Sequence, residues 1–75
     1  MRSKIEIYII EQVKRRRQER NWSQKYIADC INVSQSFIYK IESPKYDKAY
    51  NIDHLNELAK VFRCDLWDLI PKEPM

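Results

Sequence analysis

The chain has 75 residues, enough for one small domain that buries only about 60% of the surface its unfolded form exposes, so a single domain of modest stability is expected. Fourteen Lys and Arg against eleven Asp and Glu leave a net charge of +3, which permits an anionic partner without requiring one. No apolar run approaches the roughly 18 residues of a membrane span and no secretory-signal pattern is present, so the expectation is a cytoplasmic protein.

Residues 4–10, KIEIYII, carry two periodicities at once. Alternation of Ile5, Ile7 and Ile9 with charged or aromatic residues fits a strand, whereas Ile5, Ile9 and Val13, or Ile10, Val13 and Arg17, fit a helix. A lone strand would have no partner, so one long helix is expected, starting between Lys4 and Tyr8 and ending near Arg20. Ser3 and Glu6 stand where a capping box would start it. The run KRRRQER, Lys14 to Arg20, reads as a solvated basic face except at Arg17. That residue falls one turn after Val13 on the core-facing side, and a buried guanidinium must be paired, because an isolated buried charge costs several kcal/mol.

Glycine is absent, so turns that need a positive φ must use another residue. Asn tolerates that region best, which points to turns at Asn21 and Asn32. Trp22 is expected to pack at the first corner, and Ser23 to cap a second helix from Gln24 to about Cys30. Ala28 is small where two crossing helices would come closest. Val33 covers the second turn, and Ser34 caps a third helix that ends around Glu42, since Ser43-Pro44 turns the chain away from helix. Ile27, Ala28, Ile31, Val33, Ile38 and Ile41 can face one core. The opposite face of the third helix, with Ser34, Gln35, Ser36, Tyr39 and Lys40, is rich in hydrogen-bonding groups and holds no acid between Ser34 and Ile41. Such a face suits insertion between two rails of phosphate.

The loop SPKYDKAYN bears Lys45, Tyr46, Lys48 and Tyr50. It reads equally as a grip on a phosphate backbone or as an exposed connection whose tyrosines pack on the core. Asn51 can cap a fourth helix with Ile52, Leu55, Leu58, Ala59 and Phe62 on its core stripe. His54 stands off that stripe without a second ligand or a nucleophile, so no metal or catalytic role is assigned to it. Asp65 is expected to cap a short fifth helix, LWDLI, stopped by Pro71, and the tail 72–75 to be loose. Leu66, Trp67 and Ile70 serve either the domain's own core or an interface with a second copy. Cys30 and Cys64 lack a CxxC or paired histidines and read as reduced thiols, Cys64 as a small core residue; no metal or cofactor is expected.

With these segments in place the sequence resembles the XRE family, the phage-repressor-like helix-turn-helix proteins of bacteria and phages. VKRRRQERNWSQ is similar to the end of that family's first helix, SQKYIADCINVSQSFIYKIE to its helix-turn-helix, and NIDHLNELAKVFRCDLWDLIP to its last two helices. The chain departs from the pattern at Asn32 and at Ser43-Pro44, where the family usually has glycine. The resemblance implies an all-α, five-helix, phage-repressor-like domain over residues 1–75, with its motif at 23–42. It also implies that Arg17 pairs with Glu42 at the end of the third helix.

The expected function is sequence-specific binding of double-stranded DNA by a repressor-like transcriptional regulator, with residues 34–42 in the major groove. Gln35 would pair with adenine, Lys40 with guanine, and Ser36 and Tyr39 would add contacts. Gln24, Lys25, Ser34, Lys45, Tyr46 and Lys48 would meet phosphate. A homodimer on a palindromic operator would place two such helices about 34 Å apart. The competing expectation is a protein-binding module, antitoxin-like or an adaptor, that uses the apolar C-terminal face. Enzymatic activity is not expected, because no nucleophile, base and oxyanion donors converge.

Overall fold

The computed structural model describes all 75 residues as an all-α domain. Its helices are α1 (Lys4–Glu19), α2 (Gln24–Cys30), α3 (Gln35–Glu42) and α4 (Ile52–Phe62), followed by a 3-10 turn at Leu66–Asp68.

The doubly periodic N-terminal segment is helical from Lys4, and its start shows why. Glu6 N–H donates to Ser3 Oγ at 3.2 Å and Ser3 N–H to Glu6 Oε1 at 2.8 Å, so two amides at the helix entrance are satisfied reciprocally. Ile10 and Val13 are buried, whereas Ile5, which helical spacing also placed inward, remains exposed with Ile7.

Helices α1, α2 and α4 end in the same way. Trp22 N–H reaches Arg17 O at 3.1 Å, Val33 N–H reaches Ala28 O at 2.9 Å and Cys64 N–H reaches Ala59 O at 3.0 Å, each spanning five residues. The residue before each donor is left-handed: Asn21 (φ 56°), Asn32 (φ 60°) and Arg63 (φ 55°). These are Schellman closures made without glycine. The sequence pointed to both asparagines. Arg63, whose side chain offers the backbone no local hydrogen bond, was not foreseen.

The main core joins Val13 of α1, Ile27, Ala28 and Ile31 around α2, Ile38 of α3, Leu55, Leu58, Ala59 and Phe62 of α4, and Leu69. Ile10 and Ile41 are buried beside it, and Val33 packs against it half-buried. Ala28 is almost fully buried, and its lack of bulk lets α2 close on its neighbours. Ile52 leaves the expected stripe: as the first residue of α4 it points to solvent, 63% exposed. Trp22 packs at the corner as expected, parallel to Phe62 at 5.7 Å and tilted against Tyr26 at 4.9 Å. Arg20, expected on a solvated face, lies over the rings of both Trp22 and Phe62, at 5.5 and 5.1 Å from their centroids.

The expected fifth helix is a single 3-10 turn. Too few residues separate the left-handed closure at Arg63 from Pro71 to recover the cost of nucleating an α-helix, while Leu69 must still reach the core. Asp65 stands at the start of this turn in a capping-box arrangement with Asp68, in which Asp65 N–H donates to Asp68 Oδ2 at 2.9 Å. Cys30 and Cys64 are free, and both pack half-buried against the core. No helix is long and apolar enough to cross a membrane.

Left-handed backbone costs a residue with a Cβ about 1–2 kcal/mol, and the Arg63 side chain makes no hydrogen bond or salt bridge to offset it. Arg63→Gly is therefore expected to raise stability by about 1 kcal/mol, read as a higher urea midpoint at unchanged slope. Asn32→Gly, relieving less strain, is expected to shift the midpoint less.

Candidate nucleic-acid interface

The arrangement begins beneath the surface, where α1 meets the end of α3. Arg17 Nε–H donates to Glu42 Oε2 at 2.9 Å and Nη2–H to Glu42 Oε1 at 2.7 Å, a bidentate pair. Its Nη1–H donates to the carbonyl of Trp22 at 2.8 Å, so all three guanidinium nitrogens are engaged. The two side chains are 11% and 4% exposed, and the pair ties α1, the first turn and α3 together. The hydrogen bonds to Glu42 hold the Arg17 pKa above its ordinary value, against the opposing effect of burial.

Gln24 extends this network towards the surface. Its Nε2–H donates to Glu42 Oε1 at 3.0 Å, so the first residue of α2 is linked to the last residue of α3. Above the pair is a groove lined by Lys14, Gln18, Gln24, Tyr39 and Ser43. Tyr39 is 53% exposed, and Gln35 and Ser36 are fully at the surface of α3. On a helix, Gln35 and Tyr39 are neighbours one turn apart, as are Ser36 and Lys40. Beyond them Tyr46 approaches Tyr39 edge-on at 6.5 Å, and Lys40 Nζ lies over the Tyr46 ring at 5.8 Å. The result is a continuous polar and aromatic surface from Gln24 across α3 to the following loop.

Several of the other selected residues already have partners within the chain. Ser34 Oγ accepts from Phe37 N–H at 3.0 Å as the cap of α3. Lys25 pairs with Asp29 at 3.1 Å, but both are well exposed, so that pair is weak and easily exchanged. Lys45 and Lys48 are exposed in the loop Ser43–Asn51. Its two tyrosines divide the alternatives left open above: Tyr46 is exposed beside α3, whereas Tyr50 packs against the core. Of Leu66, Trp67 and Ile70, the first and last pack on the domain's own core, and only Trp67 stands out, 71% exposed.

A family model described as "Helix-turn-helix" (HTH_3) matches residues 13–66, from the buried turn of α1 to the start of the 3-10 turn. The chain belongs to this XRE-type helix-turn-helix family. A solved structure described as the master regulator for biofilm formation SinR in complex with DNA is similar in fold, with a TM-score of 0.64 at 22% identity, covering 77% of this chain and 90% of that one. Among curated proteins no significant match is found.

Two residues behind this surface have roles that motif spacing does not point to. Arg2 is the first: Nε–H donates to Lys48 O at 2.8 Å, Nη1–H to Ser43 O at 2.9 Å and Nη2–H to Lys40 O at 2.9 Å. His54 is the other. It completes a capping box in which Asn51 N–H donates to His54 Nδ1 at 3.1 Å and His54 N–H to Asn51 Oδ1 at 2.8 Å, and its ring packs on Phe37 and Tyr50. The S/T/D/N-x-x-E/Q pattern for such a box does not include histidine at its end.

Removing one partner of a buried ion pair leaves the other uncompensated. Glu42→Ala is accordingly expected to cost about 3 kcal/mol in urea unfolding. In a double-mutant cycle with Arg17→Met, the double variant is expected to lose less than the sum of the single losses.

Tyr50 adds a pH dependence. Its hydroxyl has no hydrogen-bond partner within the chain, and burial, reinforced by Glu42 and opposed by Arg17, raises its pKa above the ordinary value of 10.0. Above that value the unfolded chain gives up the phenol proton while the native state retains it, so this contribution to stability is lost as pH rises. Tyr50→Phe is expected to remove that alkaline component and, at neutral pH, to stabilise by up to about 1 kcal/mol, because an unsatisfied buried hydroxyl disappears. Unfolding midpoints measured at neutral pH and at pH values above 10.0 check both effects.

Proposed function

We propose that the chain binds double-stranded DNA sequence-specifically as a bacterial or phage transcriptional regulator of the repressor type, with α3 in the major groove. The observation that carries this reading is the exposed face of α3, free of acid, anchored from behind by the Arg17–Glu42 pair and flanked by Gln24 and a lysine-bearing loop. Membership of the helix-turn-helix family supports it, and so does the fold likeness to SinR, a protein described in complex with DNA.

In this reading the work is divided. Gln35 presents a side-chain amide that can bond adenine through both its atoms, Lys40 donates to guanine, and Ser36 and Tyr39 complete the base-facing set. Gln24, Lys25, Ser34, Lys45, Tyr46 and Lys48 meet phosphates on either side and set register without reading sequence. The link from Gln24 to Glu42 lets a phosphate contact at the start of α2 fix the depth of α3. A single small domain makes few contacts, so two copies on a palindromic operator, their α3 helices about 34 Å apart, complete the assembly. Of Leu66, Trp67 and Ile70, the exposed Trp67 is the one that would meet the second copy.

Selection from a random DNA pool, followed by a salt titration of the selected duplex, tests the proposal. Recovery of no enriched sequence overturns it. On the selected site Gln35→Ala is expected to lose about 1–3 kcal/mol and to relax preference at one position. Lys45→Ala is expected to weaken all sequences alike and to reduce the salt slope by about one unit. Identical behaviour of the two variants on every sequence would refute the division.

A further inference from the structure

Helix α3 cannot end as the other helices do. Ser43 precedes Pro44 and is extended (φ −93°, ψ 132°), so no left-handed residue folds the chain back to satisfy the last carbonyls of the helix. Arg2 occupies that place from the far end of the chain, its three guanidinium nitrogens bound to the carbonyls of Lys40, Ser43 and Lys48. A cation is also favoured electrostatically at a helix C-terminus. Within Ser43–Asn51 the internal ties are weak: Tyr46 N–H to Ser43 O at 3.5 Å and Lys45 N–H to Ser43 Oγ at 3.3 Å. The ammonium of Met1 lies 3.3 Å from Asp47, but both groups are largely exposed and the pair adds little. Tyr46 also rests against Tyr39 and Lys40, but Arg2 is the main hydrogen-bonding restraint on the segment that presents Lys45, Tyr46 and Lys48.

We infer that Arg2 is a positioning residue for DNA binding: it joins the loop to the end of α3 and sets the affinity of the phosphate contacts without making one itself. The inference rests on the DNA-binding reading. Without Arg2 the loop must be ordered at the moment of binding, and that cost falls equally on every DNA sequence. The requirement is geometric, because three carbonyls in different directions match a planar guanidinium and exceed what one ammonium can hold together.

The test compares wild type, Arg2→Ala and Arg2→Lys at a temperature where circular dichroism shows all three folded. Binding is measured on the selected duplex and a scrambled one over a range of salt, and amide exchange of residues 45–48 is measured without DNA. Both variants are expected to bind about tenfold more weakly on both duplexes, with the ratio between duplexes and the salt slope unchanged and exchange faster. Arg2→Lys binding like wild type while Arg2→Ala loses about one unit of salt slope would make Arg2 a direct phosphate contact and overturn the inference. Unchanged exchange or unchanged affinity in both variants overturns it as well. Wild-type protein that binds neither duplex overturns the DNA reading itself and the inference with it.

Discussion

A buried carboxylate at the end of α3 holds this domain in register. Glu42 receives two bonds from Arg17 and one from Gln24, so elements that would otherwise slide past one another meet at a single residue. Hydrophobic packing alone would not fix them so closely, because the isoleucines of α2 and α3 define which faces meet but tolerate small rotations. The charged network adds direction. Its desolvation is expensive, and its value lies in the single arrangement that satisfies every donor.

A second constraint comes from the missing glycine. The Schellman closures impose the same left-handed backbone on two asparagines and an arginine. At the end of α3, where Pro44 forbids that solution, the chain uses a side chain from elsewhere. The departures from the family pattern at Asn32 and at Ser43-Pro44 therefore have different structural outcomes. One is absorbed locally by the residue that replaces glycine, and the other makes the conformation of a surface loop depend on residue 2.

Much of this was legible because its causes are local. The capping box at Ser3 and Glu6, the asparagine turns and the amphipathic α3 all express themselves within a few residues, where periodicity and side-chain type carry the signal. The 3-10 turn was misread because Asp65 and Pro71 mark boundaries without saying how much helix fits between them. Arg2 left no trace for a different reason: its acceptors are backbone carbonyls 38 to 46 residues away, and every residue has a carbonyl. Helical spacing also identified Arg17 as a cation needing a partner, but the partner came from the family resemblance. At the surface, the pattern separated an outward face from an inward one. It did not reveal that Gln24 also bonds within the domain, whereas the cap by Ser34 was expected.

The two tryptophans occupy opposite settings, Trp22 stacked on Phe62 under the Arg20 guanidinium and Trp67 open to water on the 3-10 turn. Their emission is therefore separable. Loss of the packed corner alters the spectrum of Trp22, while a collisional quencher added to the folded protein reaches Trp67 first. The packed corner and the 3-10 turn thus have distinct intrinsic optical reporters, with no label introduced.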